Sequence, residues 1–300
     1  MDNIGIVFSI TLMYATPLIF AALGGIISER SGVTNIGIEG MMTIGAFAGA
    51  AVGYFTANPW IGFACAAAAG GALSALHAIA CVKFHANQII SGVALNLIGL
   101  GVSLFLSRLL FDGVTQTLPV PNKLPKLVEN GPGGLNLDST VLVVLIFIIG
   151  VWFFLYKSRG GLRLIAVGEH PAAADTLGVN VFRVRFLAVI VSGLFAGMGG
   201  AARTLAVVSS FSPIVISGHG YIALAAVIFG RWNPVGASLA CLLFGFAQSL
   251  VVVLGGGDIA IPSQILAMLP YILTIVVLVL LRGKTNAPKA SGIPYIKGQR

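Results

Sequence analysis

The chain carries little charge: only 9% of its 300 residues are Asp, Glu, Lys or Arg, and just nine are acidic. A soluble domain draws about a quarter of its residues from these four, so this shortage, with 57% apolar residues and a mean hydropathy of +1.00, excludes one. Cysteine is scarce too. Cys65, Cys81 and Cys241 lie in or beside apolar runs, without C-x-x-C spacing and without histidines placed to complete a metal site, which excludes a disulfide framework and leaves them as packing residues. Paired carboxylates, H-E-x-x-H and G-x-S-x-G are all missing, and His77, His85, His170 and His219 are scattered. No enzyme active site or metal centre is legible. The net charge of +8 does not form a basic patch interleaved with exposed aromatics, which argues against a nucleic-acid partner.

Long apolar runs are abundant. Runs such as VLVVLIFIIGVWFFLY do not alternate as β-barrel strands would, and several approach the ~20 residues a helix needs to cross a bilayer. Hydropathy and the Gly, Pro and charge punctuation place crossings near 4–27, 34–57, 60–82, 86–111, 139–157, 186–208, 221–230, 235–254 and 263–281. The expected fold is therefore all-α: a polytopic membrane protein of eight to ten transmembrane helices in a single domain over 1–300. The first run follows Met-Asp-Asn without a basic leader and is too long for a signal-peptide core, so it is expected to remain as a span. The run at 221–230 is too short to cross alone and reads as a broken helix among its neighbours.

Lys and Arg set the orientation. With the amino terminus outside, 13 of the 17 basic residues, including Arg30, Lys83, Arg159, Arg163, Arg183, Arg185 and Arg231, fall on the inner side, as the positive-inside rule requires. The carboxy terminus is then cytoplasmic, and basic ends suit lipid headgroups. The two ends of the chain also resemble each other. IEGMMTIGAFAGAAVGYFTANPWIG is similar to GHGYIALAAVIFGRWNPVGA, with Asn58-Pro59 matching Asn233-Pro234, and Gln88 falls opposite Gln264. An odd number of crossings separates the copies, which predicts an inverted repeat of about 4–111 and 186–281.

Between these halves lies GEHPAAADTLGVNV, residues 168–181. Pro171 suits a first helical turn, Ala172 to Ala174 are strong helix formers and Gly178 is a natural stop, so a short helix over about 170–177 is expected, with Glu169 complementing its amino end. It is too short and polar to span. By itself it reads first as an amphipathic loop helix on the membrane surface.

A resemblance adds to this. GLRLIAVGEHPAAADTLGVNVFRVRFLAVIVSGLFAGMGG, SERSGVTNIGIEGMMTIGAFAG and GHGYIALAAVIFGRWNPVGA together resemble permease subunits of ATP-binding-cassette importers. Within that superfamily of ribose and branched-chain amino-acid permeases, they resemble the nucleoside branch that works with basic-membrane-protein lipoproteins. The resemblance implies a transport subunit of the bacterial plasma membrane and not an enzyme. It implies that the 158–182 loop is the ATPase-coupling element, with Glu169, His170, Pro171, Ala172, Ala173, Asp175, Thr176 and Gly178 at the contact. It further implies an ABC ATPase that binds ATP and magnesium in place of any cofactor here, a second homologous permease forming a heterodimer, and an extracytoplasmic substrate-binding lipoprotein. The outward loop 123–136 is a candidate docking surface for the lipoprotein. Arg203 and His219 depart from the pattern.

Polar residues within the spans are expected to face protein or water, because burial of a charge costs roughly 2.5–3.5 kcal/mol on insertion scales. Asn35, Glu39, Gln88, Ser91 and Asn96 are candidates for the translocation path. Glu39 reads alternatively as an acceptor for backbone amides at a broken helix start near its own position, and the others as helix-to-helix bonds. Arg203 is expected to snorkel outward. Gly45, Gly49 and Gly53, with Gly193 and Gly197, are small-residue steps for close helix packing. RGKT at 282–285 lacks the first glycine of a phosphate loop, Leu278 standing in its place. A secondary transporter or channel is disfavoured by the shortage of intramembrane carboxylates, and a membrane-embedded enzyme by the missing catalytic motifs and scattered histidines. A sugar such as ribose is the nearest alternative substrate, and branched-chain amino acids come third because no carboxylate-binding Arg is evident at a broken-helix end.

Overall fold

A computed structural model describes residues 3–131, 134–255 and 287–298, with single positions at 268, 272–273, 275–276 and 279. The ninth expected crossing, Gln264 and the RGKT run lie outside the described residues, those single positions apart. Among the described residues seven helices are long and apolar enough to cross a membrane, and one further apolar helix is short.

The spans are α1 (Asn3–Arg30), α2 (Ile38–Thr56), α3 (Pro59–Ala78, continued by a π turn Ile79–Lys83), α4 (Gln88–Leu110), α5 (Ser139–Lys157), α8 (Val181–Ala201, continued by a π turn Ala202–Val208) and α10 (Pro234–Gly255). The short apolar helix is α9 (His219–Phe229). Two amphipathic helices, α6 (Arg159–Glu169) and α7 (Pro171–Thr176), fill the loop between α5 and α8. The α4–α5 loop carries an antiparallel pair, β1 (Lys126–Gly131) and β2 (Leu135–Asp138).

Local chemistry fixes the boundaries. At both Asn-Pro pairs the proline opens a helix, where its missing N–H is no loss. The asparagine oxygen accepts from the amides beyond: Trp60 and Ile61 at 3.0 and 3.4 Å for α3, and Val235 at 2.9 Å for α10. Asn180 does the same for Arg183 at 2.9 Å, so α8 starts at Val181 and draws Arg183 and Arg185 from the expected loop into its first turns. Gly178, with φ of +81°, closes α7.

Packing follows the small residues. A Cβ on Gly45 would collide with the backbone of Gly197, and one on Gly70 with the backbones of Gly193 and Gly197, so α2, α3 and α8 meet backbone to backbone. Between apolar helices in lipid no hydrophobic force remains, and close approach through small residues supplies the attraction instead. α1 packs against α8, α9 and α10, while α8 packs against α3 and α2. The outermost helices are α4 and α5, with 22% and 33% of their spans buried.

Candidate functional site

Two helix starts meet inside the bundle. The amino end of α2 is capped from α4: Gly40 N donates to Asn96 Oδ1 at 2.8 Å. The Asn96 amide then donates to Ile36 O at 3.1 Å and to the Tyr221 hydroxyl of α9 at 2.9 Å. The amino end of α9 is capped from α2, because Gly218 N and Gly220 N donate to the two Glu39 oxygens at 2.6 and 2.7 Å. Glu39 therefore does accept backbone amides at a broken helix start. That start is α9, 179 residues away, and not the one beside it. A carboxylate at a helix amino end is favoured by the orphan amides and by the dipole together. Glu39 and Asn96 remain partly exposed, and Tyr221 is exposed.

The other three path candidates are turned elsewhere. Asn35 is fully buried and donates to Ser192 Oγ at 3.0 Å and Met41 Sδ at 3.4 Å. Gln88 is buried and accepts from Thr34 N at 2.7 Å. Ser91 bonds His77 Nδ1 at 2.9 Å, whose other ring nitrogen lies 3.2 Å from Thr34 O. These residues hold the 31–37 turn between α3, α4 and α8. Only Glu39 and Asn96 of the five come together at an accessible place.

Arg203 does not snorkel. Its guanidinium lies 4.6 Å over the Tyr14 ring, and its Nε and Nη1 are buried without a hydrogen-bond partner, as is His219 Nε2. Charge reading alone missed this stacking, for which Tyr14 on the other side of the bundle's sequence gave no local signal. An arginine thus does stand near the amino end of the short helix, His219 being its first residue.

The end of the bundle that gathers Arg30, Lys83, Arg183 and Arg185 carries α6 and α7. Ser158 caps α6 by accepting from Gly161 N at 3.0 Å. Leu164, Val167 and Gly168 are buried beneath it. Glu169 closes α6 rather than opening α7, so its expected service to the α7 dipole is corrected: His170 is the residue at the α7 cap. Ala174 is buried against Val167 and Val181, whereas Ala172, Ala173, Thr176 and Leu177 are exposed. The segment 287–298 crosses this end. Ala290 N donates to Gly168 O at 2.9 Å, Arg185 Nη1 to Ile293 O at 2.9 Å, and Lys297 lies 3.7 Å from Asp175. Desolvation, then a hydrogen bond to the Asp175 carboxylate, raises the Tyr295 phenol above its ordinary range.

At the opposite end, Lys123, Lys126, Asn136 and Asp138 line a cavity of about 530 Å³ with α1 residues Ser9 and Met13. Burial raises the Asp138 carboxyl above its usual range, and Lys126 and Lys123 oppose that shift. No group of three or more His, Cys, Asp or Glu that could hold a metal occurs among the described residues.

Long apolar helices around two helix starts that meet inside the bundle are the form of a multi-pass membrane transport protein. Residues 7–280 match the family described as branched-chain amino acid transport system, permease component, and the chain belongs to that family. It is similar to the guanosine ABC transporter permease protein NupQ of Bacillus subtilis, 44% identical over 99% of this chain and 98% of the relative. It is similar as well to the nucleoside ABC transporter permease protein NupC of Lactococcus lactis, 42% identical over 99% of each chain. A putative glucose ABC transporter permease protein of Haloferax volcanii, TsgC13, is 43% identical over 80% of this chain and 75% of its own.

Proposed function

We propose that this chain is the permease subunit of an ATP-driven importer that moves nucleosides into the cell across the bacterial plasma membrane. Its similarity along almost its entire length to the guanosine and nucleoside permeases carries that reading. The basic end faces the cytoplasm and the carboxy terminus lies there, by the positive-inside rule. ATP and magnesium are bound by a separate ATPase, which docks where α7 presents Ala172, Ala173 and Thr176. The path runs past the two helix starts, where Asn96, Tyr221 and Glu39 offer polar contacts, with Asn35, Gln88 and Ser91 as supports behind it. One chain supplies one wall, and the exposed apolar faces of α4 and α5 suit a second homologous permease and lipid. The 123–136 loop, with the cavity beside it, is the docking surface for a substrate-binding lipoprotein. The halves 4–111 and 186–281 act as an inverted repeat, in keeping with the exchange in which α1 packs on α10 and α8 on α3.

Ligand identification by mass spectrometry on the purified binding lipoprotein, followed by competition of guanosine or uridine uptake, tests the substrate. Free sugar on the lipoprotein, with uptake indifferent to nucleosides, would move the reading to sugars, which the similarity to the putative glucose permease favours as second choice. For the coupling role, Ala173→Trp and Asp175→Arg are expected to abolish uptake at unchanged amounts of membrane protein, since Ala173 is exposed and Asp175 lies at the surface. Wild-type uptake in both variants would leave α7 as a surface helix only.

A further inference from the structure

The 287–298 segment has no part in the coupling role so far assigned to α7, yet its contacts join five elements at the basic end. Ser291 Oγ lies 3.1 Å from Thr34 Oγ1 in the α1–α2 turn, and Tyr295 O lies 3.1 Å from His85 Nε2 in the α3–α4 turn. Ala290 N reaches α6, Ile293 O is held by Arg185 of α8, and Lys297 pairs with Asp175 of α7. Arg185 is itself buried and also donates to Ser31 O at 3.1 Å, so the strap is anchored to the base of the bundle and not laid loosely over it.

Between the strap and α7 runs a groove of about 470 Å³, whose walls include His85, Asp175, Asn180, Phe182, Tyr295 and Lys297. The groove is concave and its lining is more apolar than polar, with Phe182 and Ile296 exposed in its walls and Leu177, 85% exposed, beside it. Apolar anchors beside the polar groups of His85, Asp175, Asn180 and Tyr295, with Lys297 as the cation, are the make-up of a protein interface. Acyl chains would instead favour a convex apolar face without polar walls. The groove is continuous with the exposed face of α7, so one partner reaching α7 would cover both.

We propose that the ATPase docks on a composite surface, in which the 287–298 strap forms one wall of the groove and α7 the other. The proposal rests on the α7 coupling role. Docking on both walls ties the ATPase to α3, α4, α6 and α8 at once, so its movement is passed to the bundle through several anchors and not through one six-residue helix.

The test uses the full complex of permeases, ATPase and lipoprotein, with a photoreactive amino acid placed at 177, at 296, or at exposed Leu118 as the control position. Cross-links to the ATPase from 177 and 296, with none from 118, are expected. An ATPase product from 177 with none from 296 overturns the composite surface and leaves the coupling helix standing. Absence of product from both overturns the coupling role and the proposal with it. A product from 296 with lipid in place of the ATPase also overturns the proposal. Ile296→Asp, at an exposed position and therefore compatible with folding, is expected to weaken co-purification of the ATPase about tenfold at an unchanged amount of folded permease. Undiminished co-purification would count against the strap.

Discussion

The helices α2 and α9 begin alike and end differently. Each opens beside a glycine that another helix crowds: Gly40 lies against the backbone of Leu95 and Asn96, Gly220 against that of Glu39. Each has its first amides satisfied by a side chain from elsewhere, neutral Asn96 for α2 and acidic Glu39 for α9. Yet α2 runs 19 residues and crosses, whereas α9 stops after 11 at the turn Gly230–Asn233, where Arg231 and Trp232 both have positive φ. That turn is held from α1, whose Arg30 Nε donates to Trp232 O at 3.1 Å and whose Glu29 accepts from the Trp232 ring nitrogen. The start of a helix is thus set by its cap, and its length by what grips its far end.

Substitutions at the two starts test how far the likeness goes. Gly40→Val and Gly220→Val should have the largest effects, because the Cβ of the first would collide with Leu95 O and that of the second would fall 2.7 Å from the Glu39 backbone. Overpacking against backbone costs about 1–3 kcal/mol or more, and little folded permease should be recovered on size-exclusion chromatography of either variant. A well-folded Gly220→Val beside a lost Gly40→Val would separate the two starts.

Glu39→Ala comes next. It strands two part-buried amides at up to about 1–3 kcal/mol each, and thermal unfolding in detergent should shift down by several degrees. Glu39→Gln, which keeps one acceptor, should fall between Ala and wild type. An Ala variant as stable as wild type would mean that α9 needs no cap. For Asn96→Ala the loss is about 1 kcal/mol, the usual worth of a neutral cap, while Asn96→Asp should retain the bond to Gly40 N and recover part of it. If Asn96→Ala proved costlier than Glu39→Ala, the ranking of neutral and charged caps would be reversed. Smallest is Tyr221→Phe, which removes one bond to Asn96 at an exposed position. It should cost under about 1 kcal/mol and be read best as a change in uptake rate against unchanged melting.

The spans were legible because hydropathy and punctuation are local. Ser139–Lys157 lies where the apolar run does, and Asn58-Pro59 and Asn233-Pro234 announce helix starts that the structure contains. The glycine steps read correctly as close packing, since Gly45, Gly193 and Gly197 meet other helices. α6 was not legible. RGGLRLIAVGE carries three glycines, each poor in a helix, and only tertiary burial of Leu164, Val167 and Gly168 overrides that. The β1–β2 pair was missed for its shortness and for the irregular register between its strands. At the site, sequence named Glu39 as a capping acid but could not name its helix, because a cap drawn from 179 residues away leaves no periodic trace. Nor could it separate Gln88 and Ser91 from Asn96. All three lie near one face of α4, but which of them meets the 31–37 turn and which meets α9 depends on where α1 ends.

The contact of α3 with α8 has one more consequence. Gly70, Gly193 and Gly197 bring no rotamers of their own to the seam, so the two backbones touch there, with Ser74 the side chain that reaches across, to Ile190 O at 3.3 Å. Interlocking side chains must change rotamer before one helix can pass another. A seam built largely on glycine has few such teeth to disengage. Like α2 on α8, where Gly45 meets Gly197, α3 on α8 has the form of a bearing, on which neighbouring helices can shift while the bundle stays closed.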